Sequence, residues 1–165
     1  MTEPLGIRPL RAGDRPAVTR ILESVGNFTP AEIAIALELI DAWLSTGESS
    51  DYYCLVLDAS SDTEHADVQG YVCYGPTPLT ESTFDLYWIA VSRAAQGKGY
   101  GRRLMQVTEE DVRHRHGTLL MIETSSQESY GSTIHFYERA GYALVARVPN
   151  FYRAGDDKLI FAKSL

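Results

Sequence analysis

Residues 91–104 read "VSRAAQGKGYGRRL", with glycines at 97, 99 and 101 followed by Arg102 and Arg103. Alternating glycine suits neither regular element, since each one is roughly 0.5–1 kcal/mol worse than alanine inside a helix or strand. The segment is therefore a turn, and its flanks say what it joins. Upstream, "TFDLYWIAV" (83–91) is apolar almost without interruption, the pattern of a central strand. Downstream, the spacing predicts a helix from about Gly101 to His116, closed by Gly117. The first-turn N–H groups of such a helix lack intrahelical acceptors and sit at the positive end of its dipole. Glycines there let the backbone bend and let an anion approach without meeting a Cβ. With Lys98, Arg102 and Arg103 beside it, the turn is built to hold a pyrophosphate.

Working outward, "GIRPL" (6–10) reads as a short strand and "AGDRPAVTRILESVG" (12–26) as a helix. Asp14 is the candidate N-cap there, Val18, Ile21, Leu22 and Val25 form the apolar stripe, and Gly26 closes it. The next helix, within residues 28–47, carries a Thr29/Glu32 capping box, Pro30 at its first position and Gly47 at its end. Its expected buried stripe is Ile33, Leu37, Ile40 and Leu44. Residues 52–58 and 68–75 read as an antiparallel hairpin across a polar segment, with 76–80 a loop before the long strand. After the glycine turn and its helix come a buried strand (118–125) and a helix (130–141) stopped at Gly141 and Tyr142. Two closing strands (142–148 and 158–164) are joined through "PNFYRAGDD" (149–157). The order β-α-α-β-β-β-α-β-α-β-β has no internal repeat and no linker. One domain over 1–165 is expected, and a regular doubly wound fold is excluded.

Bulk properties narrow the function class. A hydrophobic share of 44% and a charged share of 22% are those of a globular protein, with disorder expected only in the first residues and around Ser60 to Asp67. The net charge of −7 argues against a nucleic-acid binder and favours a cationic or amine-bearing substrate. No apolar run approaches a membrane span and the N-terminus has no leader-like apolar stretch, so no membrane partner and a cytoplasmic location are expected. Cys54 and Cys73, both in strand-like apolar runs, read as buried reduced thiols. His114 and His116 flank Arg115 at a helix end and His65 and His135 have no evident partner, so no metal is expected.

Two nucleotide-binding readings fail on spacing. A Walker A loop needs a lysine followed by serine or threonine, and a dinucleotide fingerprint needs G-x-G-x-x-G at the first turn of a parallel sheet. Gln96-Gly97-Lys98-Gly99-Tyr100-Gly101 instead fits Q/R-x-x-G-x-G/A, the acyl-CoA motif of the GNAT superfamily of N-acyltransferases. "FYERAGY" (136–142) resembles the late helix signature of the same family, F/Y-Y-x-x-x-G-F/Y, and the resemblance runs over nearly the whole chain. It implies a mixed α/β fold, a mostly antiparallel sheet of about seven strands with a splay between the fourth and fifth. It implies acetyl-CoA as co-substrate, its pantetheine on the backbone of Ile89, Ala90 and Val91 and its pyrophosphate on the amides from Gln96 to Arg102. The late helix departs from the family: Tyr130 stands where many relatives have an asparagine, leaving Ser129, Ser132 or Thr133 to hold that end of the cofactor.

Acyl transfer from a thioester to an amine needs a route for the ammonium proton and a donor for the departing thiolate. The resemblance makes Tyr137 the acid. Asp85, buried in an apolar strand, and Glu123, ending the next one, are candidates for the base or for binding the ammonium. The acceptor is expected against Phe28, Tyr87, Trp88, Phe151 and Tyr152, with Asp156 and Asp157 adding negative charge. The reading is an N-acetyltransferase acting on a small-molecule or peptide amine by direct attack, as a monomer or homodimer. A non-catalytic acyl-CoA sensor, another acyl chain or an oxygen acceptor are the alternatives.

Overall fold

Four helices and seven strands follow the order that the sequence predicts, in a computed structural model describing residues 6–60 and 66–165. Residues 1–5 and 61–65, where disorder was expected, lie outside the described residues, as does His65. The strands are β1 (Gly6–Pro9), β2 (Tyr53–Asp58), β3 (Val68–Pro76), β4 (Thr83–Val91), β5 (Leu119–Ser125), β6 (Ala143–Arg153) and β7 (Asp156–Ser164). The helices are α1 (Arg15–Val25), α2 (Pro30–Thr46), α3 (Tyr100–His114) and α4 (Gly131–Arg139). The strands hydrogen-bond in the order β1-β2-β3-β4-β5-β7-β6, one mixed sheet with a single parallel pair, β4 and β5. That parallel register covers Thr83–Leu86 and Leu119–Ile122, while β4 runs on to Val91 and β5 to Ser125. No helix among the described residues is long and apolar enough to cross a membrane.

The chain divides into two compact units, Met1–Gly75 with Trp88–Thr108, and Pro76–Tyr87 with Glu109–Leu165. In the first, the α2 capping box forms as expected: Thr29 Oγ1 accepts from the Glu32 N–H, and the Thr29 N–H donates to the Glu32 carboxylate. Asp14 does not cap α1. Its carboxylate is taken by the Arg8 guanidinium at 2.7 and 2.9 Å and by the Arg11 N–H. The α2 stripe is rotated from the expected one. Ala36, Ile40 and Trp43 are buried while Ile33, Leu37 and Leu44 are half-buried, because Trp43 turns inward to donate its indole N–H to the Leu10 carbonyl. Cys54 and Cys73 face each other across β2 and β3, fully buried, and the Cys54 thiol is pushed up by its contact with Cys73 and then by burial.

In the second unit, α4 ends in a complete Schellman motif. Gly141 N–H bonds the Glu138 carbonyl, Tyr142 N–H bonds the Tyr137 carbonyl, and Gly141 is left-handed at φ 92°. Helix α3 stops at His114, two residues earlier than expected, with His116 rather than Gly117 in the left-handed conformation. The segment 149–157 is not the long connecting loop expected. β6 continues through it to Arg153, and β7 begins at Asp156 after a two-residue turn. The register jumps from Val148↔Lys158 to Arg153↔Asp156, so residues 149–152 bulge out of β6. Asp157 braces the bulge by accepting from the Asn150 N–H and from Arg147.

Candidate active site

The glycine turn lies wholly in the first unit. After β4 the Ser92 N–H and hydroxyl both bond Gln69, and a 3-10 turn (Arg93–Ala95) leads into the motif. Gly97 and Gly99 are left-handed, at φ 79° and 82°, and a Cβ on either would meet no protein atom within 4 Å. Conformation, not crowding by the protein, is what requires glycine at these two positions, and the space beside them is open. Gly101 is already the second residue of α3. The first α3 backbone bond runs from the Arg103 N–H to the Gly99 carbonyl, so the N–H groups just before Arg103 have no intrahelical acceptor. Gln96, Lys98, Arg102 and Arg103 are exposed around them. The helix is seated at its other contact by Gly70, where a Cβ would lie 2.8 Å from the Leu104 side chain and 3.5 Å from the Ala90 carbonyl. That close approach fixes the start of α3 against β3 and β4. Phe28 and Trp88, two of the expected acceptor contacts, meet edge to face at 5.2 Å in this unit.

The titratable candidates lie in the second unit. Tyr137 is 5% exposed and packs against Phe136, Tyr142 and Phe161, at ring separations of 5.6, 6.3 and 6.0 Å. Its hydroxyl makes no hydrogen bond among the described residues. Burial first, and then the nearby Tyr130 phenol, raise its pKa, so the proton stays on the oxygen beyond the usual phenol range. Tyr130 itself is the last residue of the 3-10 turn before α4, and Thr133 is half-buried on that helix.

Asp85 is half-buried on β4 and accepts a 2.6 Å hydrogen bond from the Thr77 hydroxyl. Its pKa is raised, chiefly by burial. Thr77 works against the shift, Glu123 adds to it and Lys158 opposes it. Glu123 is held at 2.5 Å by the Lys158 ammonium, which also lies 4.4 Å from the Phe151 ring centroid. Phe151 and Tyr152 stand half-exposed on the β6 bulge, 5.0 Å apart and edge to face. The second unit thus joins three candidates from separate strands, Asp85, Glu123 and Phe151, through one lysine that the sequence reading did not single out. Asp156 and Asp157 are not free to meet a substrate: Asp156 is buried and accepts from Ser125 Oγ, and Asp157 braces the bulge. Tyr87 is half-buried at the end of the β4 segment in this unit. His135, without an expected partner, lies 3.3 Å from Glu138.

If ionised Asp85 takes a proton during turnover, kcat/KM should rise with pH through an apparent pKa above about 3.9, the ordinary aspartate value. The Thr77 hydroxyl favours the carboxylate, so Thr77→Val should move that acid limb to still higher pH. A pH–rate profile of both proteins checks this. An unmoved limb would assign it to another group.

Residues 21–142 match the profile of the acetyltransferase (GNAT) family. A solved protein of that family from Desulfovibrio desulfuricans superposes with a TM-score of 0.90 at 44% identity, covering 98% of this chain and 99% of that one. A Salmonella typhimurium protein solved with its cofactor acetyl-CoA gives 0.73 at 20% identity, over 99% and 95% of the two chains. The ribosomal-protein-S18-alanine N-acetyltransferase of Escherichia coli gives 0.72 at 20%, over 98% and 94%. At that identity the last two show a shared fold.

Proposed function

The chain belongs to the GNAT acetyltransferase family, and on that premise we propose that it moves an acetyl group from acetyl-CoA to a primary amine by direct attack. The observation that carries the donor half is the pair of left-handed glycines opening α3. They leave first-turn amides facing open space with Lys98, Arg102 and Arg103 exposed nearby, a fit for a pyrophosphate. Ile89, Ala90 and Val91, on the part of β4 beyond the parallel register, offer backbone groups to the pantetheine amides.

Acetyl-CoA supplies an activated thioester, and the protein's own residues handle two protons. An alkylammonium with a pKa of about 10.4 is almost wholly charged at neutral pH. Asp85, kept basic by burial, is the acceptor of that proton, and Glu123 the carboxylate that holds the cation. Tyr137, protonated throughout the working range, donates to the departing sulfur. No thiol takes part: Cys54 and Cys73 are buried between β2 and β3. The acceptor is an amine rather than an acid because a carboxylate, Glu123, and an aromatic face, Phe151, already meet about one ammonium on the strand beside them. That a structural neighbour acetylates the alanine of a ribosomal protein agrees with an amine acceptor.

The test is calorimetric titration with acetyl-CoA, followed by a thiol-release screen against alkylamines, polyamines, aminoglycosides and peptide N-termini. Binding of acetyl-CoA and release of thiol with at least one amine are expected. Gly99→Ala, which forces a side chain into the left-handed region, should raise the KM for acetyl-CoA about tenfold. Absence of acetyl-CoA binding by the wild-type protein would refute the proposal.

A further inference from the structure

Lys158 has no role in the chemistry proposed above, yet it occupies the centre of the second unit's polar cluster. Its ammonium makes a 2.5 Å contact with Glu123 Oε2 and lies 4.4 Å from the Phe151 ring centroid. Its side chain is 15% exposed, and that of Glu123 is 49% exposed. The other cations of the hairpin are committed elsewhere. Arg147 is bound to Asp157, Arg153 lies 3.8 Å from Asp156, and Lys163 is held by Glu109 and the Ala140 carbonyl.

A carboxylate and an aromatic face converging on one point form a binding site for a primary ammonium. One supplies a charge-assisted hydrogen bond and the other the negative face of its quadrupole. Here the chain's own lysine fills that point. An ion pair whose carboxylate is half open to solvent contributes little to stability. Lysine's flexible stem lets its ammonium swing away while β7 stays in place. A competing cation therefore needs to displace a side chain, not a strand.

We propose that Glu123 and Phe151 form the binding position for the acceptor's primary ammonium, and that Lys158 fills it until an acceptor displaces it. The resident side chain also indicates the ligand class: a primary ammonium on an unbranched apolar stem. An α-amino acid fits poorly, because its carboxylate would be brought against Glu123 and Asp85. Calling the ligand an acceptor rests on the acetyltransferase reading; the cation site itself does not.

n-Butylammonium is the probe, with n-butanol as its uncharged counterpart, titrated by NMR into wild-type protein, Lys158→Met and the double variant Lys158→Met/Glu123→Gln. A site nine-tenths filled by its own cation weakens a competitor about tenfold, so Lys158→Met should bind n-butylammonium about tenfold tighter than wild type. The double variant should lose that gain, and n-butanol should gain nothing. In the wild-type protein, n-butylammonium should also shift the Lys158 Cε resonance toward that of a solvated lysine, a readout that survives should Lys158→Met fail to fold. Unchanged or weaker binding by Lys158→Met, a gain that persists in the double variant, or a stationary Lys158 resonance would each overturn the proposal. Acetyl-CoA is titrated separately. Its failure to bind would refute the acetyltransferase reading and leave the cation site standing, whereas failure of n-butylammonium alone would refute the cation site.

Discussion

Tyr137→Phe should lower kcat about a hundredfold, with the KM for acetyl-CoA and the melting temperature nearly unchanged. The two halves of this expectation come from the same observation. The Tyr137 ring is packed among Phe136, Tyr142 and Phe161, and phenylalanine keeps all of those contacts. The hydroxyl makes no hydrogen bond among the described residues, so removing it deletes no structural interaction. A purely structural tyrosine would show the reverse pattern, losing stability and keeping kcat. The pH dependence follows from the direction of the shift. Burial raises the phenol's pKa, so the protonated, donating form persists above the ordinary value of about 10. The wild-type rate should therefore show no alkaline fall attributable to Tyr137 below that value. Unchanged kcat in Tyr137→Phe across the pH range, measured by thiol release, would assign the residue to packing.

What the sequence made legible was what is decided locally. The Thr29/Glu32 box, the Schellman stop at Gly141 and the turn at glycines 97 and 99 each depend on residues within one turn of chain, and each is present. The seven-stranded mixed sheet followed from matching these local signals to a family pattern. Features set by register or by distant packing were not legible. The α2 stripe turned because Trp43 found a carbonyl 33 residues away, at Leu10. Asp14 left its cap for Arg8, which also reaches Asp58, two residues along β2 from Val56, the partner of Arg8 in the β1–β2 register. Residues 149–153 read as a loop because Pro149 and Asn150 interrupt the strand pattern, but Asp157 accepts the Asn150 N–H and keeps the chain in the hairpin. Lys158 escaped notice for the same reason. It pairs with Glu123 because β5 and β7 align Ser125 with Lys158, a register no local pattern announces.

Glu109→Ala should destabilise the protein by about 3 kcal/mol, the lower end of what breaking a buried ion pair costs. Glu109 is 6% exposed at the start of the second unit's share of α3. Its Oε1 accepts from the Tyr142 hydroxyl at 3.0 Å, and both of its oxygens accept from the Lys163 ammonium at 2.9 Å. Lys163 in turn donates to the Ala140 carbonyl, one of the groups left open at the end of α4. One carboxylate thus ties α3, the residue that closes α4, and β7. Alanine would leave the Lys163 ammonium with the Ala140 carbonyl and the Tyr142 ring face, 5.5 Å from its centroid, and would remove the carboxylate that accepts from the Tyr142 hydroxyl. In a domain of this size the loss corresponds to a melting temperature lower by roughly 10 °C. Because the pair is largely out of water, the drop should persist at high salt, unlike that of the exposed Arg15–Asp41 pair. Tyr142 gives a second readout. Burial and then Glu109 raise its pKa, so the folded state favours the neutral phenol; the contribution is full below about 10 and is lost as pH rises through the folded value. Adding Lys163→Met to Glu109→Ala should recover part of the stability by removing the unpaired buried charge. A double variant whose loss equals the sum of the two single losses would show that the carboxylate and the ammonium do not act as a pair.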